Sequence, residues 1–101
     1  MNITIHPSAT MTTQTLTLNG SVMNITNNGT FNPGTLQFQT SGAVITFFNN
    51  GSVTVGSTLN ISSGSAQFQN NGTMTVVQNF NSSSSSVYIN CSTFNGKFNL
   101  N

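Results

Sequence analysis

The chain has 101 residues, among them 17 Asn, 16 Thr, 14 Ser, 9 Gly and 6 Gln, against one Lys, one His and no Asp or Glu. Without side-chain carboxylates there is no acid–base pair for catalysis, no second carboxylate for glycoside cleavage and no anionic cage for calcium or magnesium, so a non-enzymatic chain without metal or cofactor is expected. One Lys cannot neutralise a row of phosphates and no apolar run is long enough to span a bilayer. Nucleic acid, membrane insertion and a small-molecule substrate are therefore not expected, while a net charge near zero favours association.

An alternating strand opens the chain at Asn2, Ile3, Thr4 and Ile5. The tripeptide Asn-Asn-Gly then recurs at Asn27-Asn28-Gly29, Asn49-Asn50-Gly51 and Asn70-Asn71-Gly72, in steps of 22 and 21 residues. A fixed period of this length marks stacked units that cannot bury their apolar faces alone. A second glycine column, Gly20, Gly42 and Gly64, keeps the same register. The coils read as about 5–26, 27–48, 49–69 and 70–94, with a partial coil at 95–101, in one domain over 1–101.

Between the corners the apolar residues alternate with period two, so strands are predicted and no helix. One strand follows each Asn-Asn-Gly: Thr30-Phe31-Asn32, Ser52-Val53-Thr54-Val55 and Thr73-Met74-Thr75-Val76. A second comes near mid-coil at Thr15–Leu18, Thr35–Phe38, Thr58–Ile61 and Gln78–Phe80. The third is opened by the second glycine at Ser21–Ile25, Ala43–Phe47 and Ser65–Phe68, and continues as Val87–Cys91. Three short strands in coils of about 22 residues predict an all-β fold, a single triangular parallel β-helix of about four coils. The competing reading is an antiparallel sandwich, because Asn-Gly is also a hairpin turn signal.

Identical Asn residues stacked at strand spacing can hydrogen-bond side chain to side chain along the axis, so one of the two Asn columns is expected to form a ladder. The following Gly is expected to supply a positive-φ corner. Phe31, Phe38, Phe47, Phe68, Phe80 and Phe94, with Val53, Val55, Leu59, Ile61, Met74 and Val76, form the expected core. Phe47 and Phe48 must face opposite ways, which makes Phe48 the candidate contact residue. Cys91 is alone and reads as a small buried group, and His6 lacks partners for a metal site. The Ser82 to Ser86 run reads as a corner loop.

Threonine spacing at Thr13-Gln14-Thr15-Leu16-Thr17 and Thr73-Met74-Thr75 resembles the ice-binding surface of β-solenoid antifreeze proteins. The matching positions elsewhere include Phe31, Asn32, Gln37 and Ser52, so the pattern is not expected to recur on one face.

The chain closes on another alternating strand, with Phe98, Asn99 and Leu100, and both outer strands read as ordinary rungs. An outer rung shows unpaired backbone groups and an open core, so Asn2–Ile5 and Phe98–Leu100 are the candidate assembly ends. The motifs Asn27-Asn28-Gly29-Thr30, Asn49-Asn50-Gly51-Ser52-Val53-Thr54-Val55 and Asn70-Asn71-Gly72-Thr73-Met74-Thr75-Val76 resemble the Asn/Gly/Thr/Ser-rich β-helices of bacterial adhesins and autotransporter passengers. Similar repeats occur in viral and phage structural proteins. The resemblance implies a structural or adhesive role.

Two partner readings follow: the chain itself, stacked head to tail into a filament, or larger coat proteins that hold it as a minor capsid or cement protein. The location expected is an extracellular filament or a virion surface. No basic segment followed by an apolar one opens the chain, so a standard secretion signal is not expected.

Overall fold

The computed structural model describes residues 2–38, 44–61, 65–82, 85–90, 92–96 and 98–100. Among these described residues thirteen strands follow in chain order: β1 (Asn2–Ile5), β2 (Thr10–Leu18), β3 (Val22–Asn27), β4 (Thr30–Phe38), β5 (Val44–Asn49), β6 (Ser52–Val55), β7 (Leu59–Ile61), β8 (Ser65–Asn70), β9 (Thr73–Val76), β10 (Phe80–Ser82), β11 (Ser85–Asn90), β12 (Thr93–Asn95) and β13 (Phe98–Leu100). No helix occurs among the described residues.

The strands stack as three faces. The first carries β1, β3, β5, β8 and β11 in that order. The second carries the leading halves of β2 and β4, then β6, β9 and β12; the third carries their trailing halves, then β7, β10 and β13. Every strand pairing among the described residues is parallel, which makes the fold a β-solenoid of five rungs per face and disposes of the antiparallel sandwich. The chain turns from the second face to the third inside β2 and β4, at Gln14 and at Pro33-Gly34. Proline suits this corner because its missing N–H is not needed, while its carbonyl accepts from Gly56 at 2.9 Å.

The inward side of each strand follows from the pleat. In β6, Val53 and Val55 are fully buried and Ser52 and Thr54 are not; in β9, Met74 and Val76 alternate with Thr73 and Thr75 in the same way. Eleven of the twelve expected core residues are buried, and Phe94 packs against the core while half-buried. Met23, Ile25, Leu36, Ile45 and Ala66 join them. Burial of each large side chain contributes roughly 1.5–3 kcal/mol, which is how a chain with so few apolar residues holds together. The phenylalanines form a continuous stack, with Phe47 and Phe68 at 5.1 Å and 15° and Phe80 edge-on to Phe68 at 5.1 Å.

Three local expectations change. The strand expected at Gln78–Phe80 is Phe80–Ser82, because Phe80 pairs with Leu59 and Asn81 with Asn60. The serine run is not simply a loop: Ser82 is buried in β10, and Ser85 and Ser86 begin β11. Asn90, not Asn95, pairs with Asn70, so the coil opened by Asn70 closes at 89 and not at 94.

Candidate functional site

The first corner carries the repeat motif, and its two Asn positions behave differently. Asn27, Asn49 and Asn70 are buried to within 1% of fully. Asn27 donates from Nδ2 to Asn49 Oδ1 at 2.9 Å, and Asn49 donates to Asn70 Oδ1 at 2.8 Å. The same Nδ2 atoms reach the backbone carbonyls of the next rung: Asn27 to Ser52 at 2.9 Å, Asn49 to Thr73 at 2.9 Å and Asn70 to Thr93 at 2.7 Å. Backbone N–H groups of Gly29 and Gly51 donate to Asn27 and Asn49 Oδ1 at 3.2 Å. Buried amides are expensive unless paired, and this ladder pairs both ends of each one.

A second ladder stands outside. Asn50 donates to Asn28 at 2.8 Å and Asn71 to Asn50 at 2.9 Å, at exposed or half-buried positions. Both Asn columns therefore form ladders. On the first-face column Ile5 takes the place of Asn, pairing with Asn27 and remaining buried, so the inner ladder begins at Asn27.

The corner glycines Gly29, Gly51 and Gly72 are needed for a different reason from the one expected. Among the described residues Gly96 alone has a positive φ, so these corners do not use the left-handed region. A Cβ on Gly51 would sit 2.1 Å from the Gly29 carbonyl oxygen, and one on Gly72 2.1 Å from that of Gly51. Stacked turns approach so closely that only a hydrogen fits there. Gly20 precedes β3, where a Cβ would meet the Met23 side chain at 3.3 Å. Gly42, Gly64, Cys91 and Lys97 lie outside the described residues.

The outer rungs pair on one side only among the described residues: Asn2–Ile5 with Asn24–Asn27, β2 with β4, and β11, β12 and β13 with β8, β9 and β10. Ile3 and Met11 are half-buried against the core at one end, as Phe94 is at the other. Phe98, Asn99 and Leu100 align with Phe80, Asn81 and Ser82. Phe48 is 39% exposed on the first face while Phe47 is fully buried. Val22 and Val44, paired on that face, are 50% and 49% exposed.

The second face presents what the sequence spacing hid. Thr10, Thr30, Ser52, Thr73 and Thr93 fall in one register column, each beside an inward residue, and none of them is buried. Two residues on, Thr12, Asn32, Thr54, Thr75 and Asn95 form a second outward column. The recurrence was missed for two reasons. Phe31 points inward at 2% exposure and interrupts nothing, and Thr13, counted in the pattern, lies in the inward column with Pro33. The Thr13 hydroxyl is buried without a hydrogen-bond partner.

Among the described residues no three His, Cys, Asp or Glu side chains gather as a metal site, and no helix is long and apolar enough to cross a membrane. Comparison with protein-family models, with curated proteins and with solved structures finds no match.

Proposed function

We propose that the solenoid is a non-enzymatic structural subunit that stacks end to end, the rung of β1 and β2 of one copy on the rung of β11, β12 and β13 of the next. One observation carries the reading: four register columns whose residues are buried in the middle coils begin and end on apolar residues. Ile3, Met11, Leu16 and Leu18 occupy the columns that hold Tyr88, Phe94, Phe98 and Leu100 at the other end. A junction would continue the backbone ladder and bury apolar rungs, as in strand addition. Neither β1 nor β2 carries a charged residue to blunt its edge. A head-to-tail contact of this kind does not close, so it grows an open fibre. Such a fibre suits an extracellular location.

Sedimentation velocity and negative-stain microscopy over a rising protein concentration test this. The expected result is filaments for the unaltered chain and monomers for Met11→Lys, which places a charge in the open end core while circular dichroism still reports β structure. Dispersed monomers of the unaltered chain at high concentration would overturn it.

A second reading is favoured by Phe48, Val22 and Val44 on the first face. These exposed apolar side chains offer a lateral contact, as for a minor capsid or cement protein at a virion surface or an adhesin-type module. That reading predicts a soluble monomer whose binding to a larger partner is lost in Phe48→Ser.

A further inference from the structure

The two outward columns of the second face make a regular two-dimensional array of short polar side chains, complete within one copy and running from one outer rung to the other. Neighbouring rungs stand about 4.8 Å apart, and outward residues two positions apart on a strand are about 6.6 Å apart. Both repeats lie close to the oxygen repeats of a prism plane of hexagonal ice. We propose that this face binds ice, with Thr10, Thr30, Ser52, Thr73 and Thr93 as one row of contacts and Thr12, Asn32, Thr54, Thr75 and Asn95 as the other.

Four features fit that ligand. Threonine has a stiff χ1, so its hydroxyl and methyl hold fixed places on a strand. The hydroxyls of Thr10, Thr30, Ser52, Thr54 and Thr73 enter no side-chain hydrogen bond among the described residues, which leaves them to order water. The backbone beneath the first row is pinned by the buried ladder, since the carbonyls of Ser52, Thr73 and Thr93 accept from Asn27, Asn49 and Asn70. None of the ten positions is charged, so a neutral lattice meets a neutral face and no ion has to shed its hydration shell.

The role of the ladder is thus positional: it fixes the row without touching the ligand. Phe31, Val53 and Met74, all buried, back the same strands and hold them against rotation. The third face differs, because its outward columns change character, from Thr15, Thr35 and Thr58 to Asn79 in one and from Thr17 to Gln37 and Asn60 in the other.

Partitioning into a slowly grown ice hemisphere, with crystal shape followed by microscopy, tests the proposal using the unaltered chain, Thr54→Tyr, Thr73→Tyr and Gln37→Tyr. The unaltered chain and Gln37→Tyr should be enriched several-fold in ice over an inert carrier protein and should facet growing crystals. Thr54→Tyr and Thr73→Tyr should fall to the carrier level with unchanged circular dichroism. Exclusion of the unaltered chain from ice would overturn the proposal, as would equal partitioning of all four. Binding to microcrystalline cellulose or chitin with exclusion from ice would also overturn it. Since monomers suffice, failure to form filaments leaves this outcome unaffected.

Discussion

Asn49 and its chain neighbour Asn50 send their amide donors in opposite directions along the solenoid axis: Asn49 forward to Asn70 and Asn50 back to Asn28. The inner direction is set by the backbone, since Oδ1 of Asn49 faces the Gly51 N–H and Nδ2 faces the Thr73 carbonyl. The outer row runs the other way, so the two rows of side-chain dipoles oppose each other.

The two rows should differ sharply in mutational cost. Asn49→Ala strips partners from the Gly51 N–H, the Thr73 carbonyl and both neighbouring amides, and is expected to cost roughly 3 kcal/mol or more. Asn50→Ala, at the exposed row, is expected to cost about 0.5 kcal/mol. Urea unfolding of the two variants checks the order, and equal midpoints would contradict the buried ladder's role.

Gly51 and Gly56 are both corner glycines, yet only one is crowded. A Cβ at Gly51 meets the Gly29 oxygen at 2.1 Å, whereas one at Gly56 finds its nearest atoms, those of Gly34, at 3.6 Å. Gly51→Ala is expected to lose roughly 2–4 kcal/mol because the coils must separate. Gly56→Ala, with room and no positive φ, should gain about 0.5 kcal/mol from a less flexible unfolded chain. Thermal melts of the pair read the difference in sign.

Thr13 occupies a column shared with Pro33, and its hydroxyl is buried without a partner. Thr13→Val keeps the shape and removes the orphaned hydroxyl, so a gain of about 1 kcal/mol is expected. A fall in melting temperature would show that the hydroxyl is bonded after all.

Acid should have little effect on this fold. Native proteins commonly unfold at low pH because paired carboxylates must protonate, and here there is no Asp or Glu to do so. The unfolding midpoint is expected to stay flat between about pH 5 and pH 3, the range in which side-chain carboxylates titrate. Asn49→Asp should break that flatness. A carboxylate facing the Asn70 Oδ1 and the Thr73 carbonyl is favoured in its neutral form, so its folded-state pKa is raised above the unfolded value. The variant should then be least stable at neutral pH and recover as pH falls into the acid range, a trend followed by melts across that interval.

The parts of the fold that repeat were legible in the residues. Asn27, Asn49 and Asn70 recur with a Gly two positions on, and Val53, Val55, Met74 and Val76 alternate cleanly, so corners and strands could be read from spacing. What escaped was register where the motif is incomplete. Asn90 continues the Asn column but is followed by Cys91 and Ser92, and Ile5 stands in that column with no amide. The hydroxyl rows escaped because the second corner differs between coils: Pro33-Gly34 in one, Gly56-Ser57-Thr58 in the next. Thr13 was thereby counted among outward positions. The glycines were recognised by their recurrence and read as positive-φ corners, but the demand on them comes from the coil below, which no single turn reveals.

Helical reconstruction from cryo-electron micrographs tests the central claim, that one copy's outer rung is the next copy's template. Five rungs per chain at about 4.8 Å each predict a subunit rise of about 24 Å, with strands running unbroken across the junction. Filaments joined side to side, or an axial gap in the rung spacing between subunits, would contradict it.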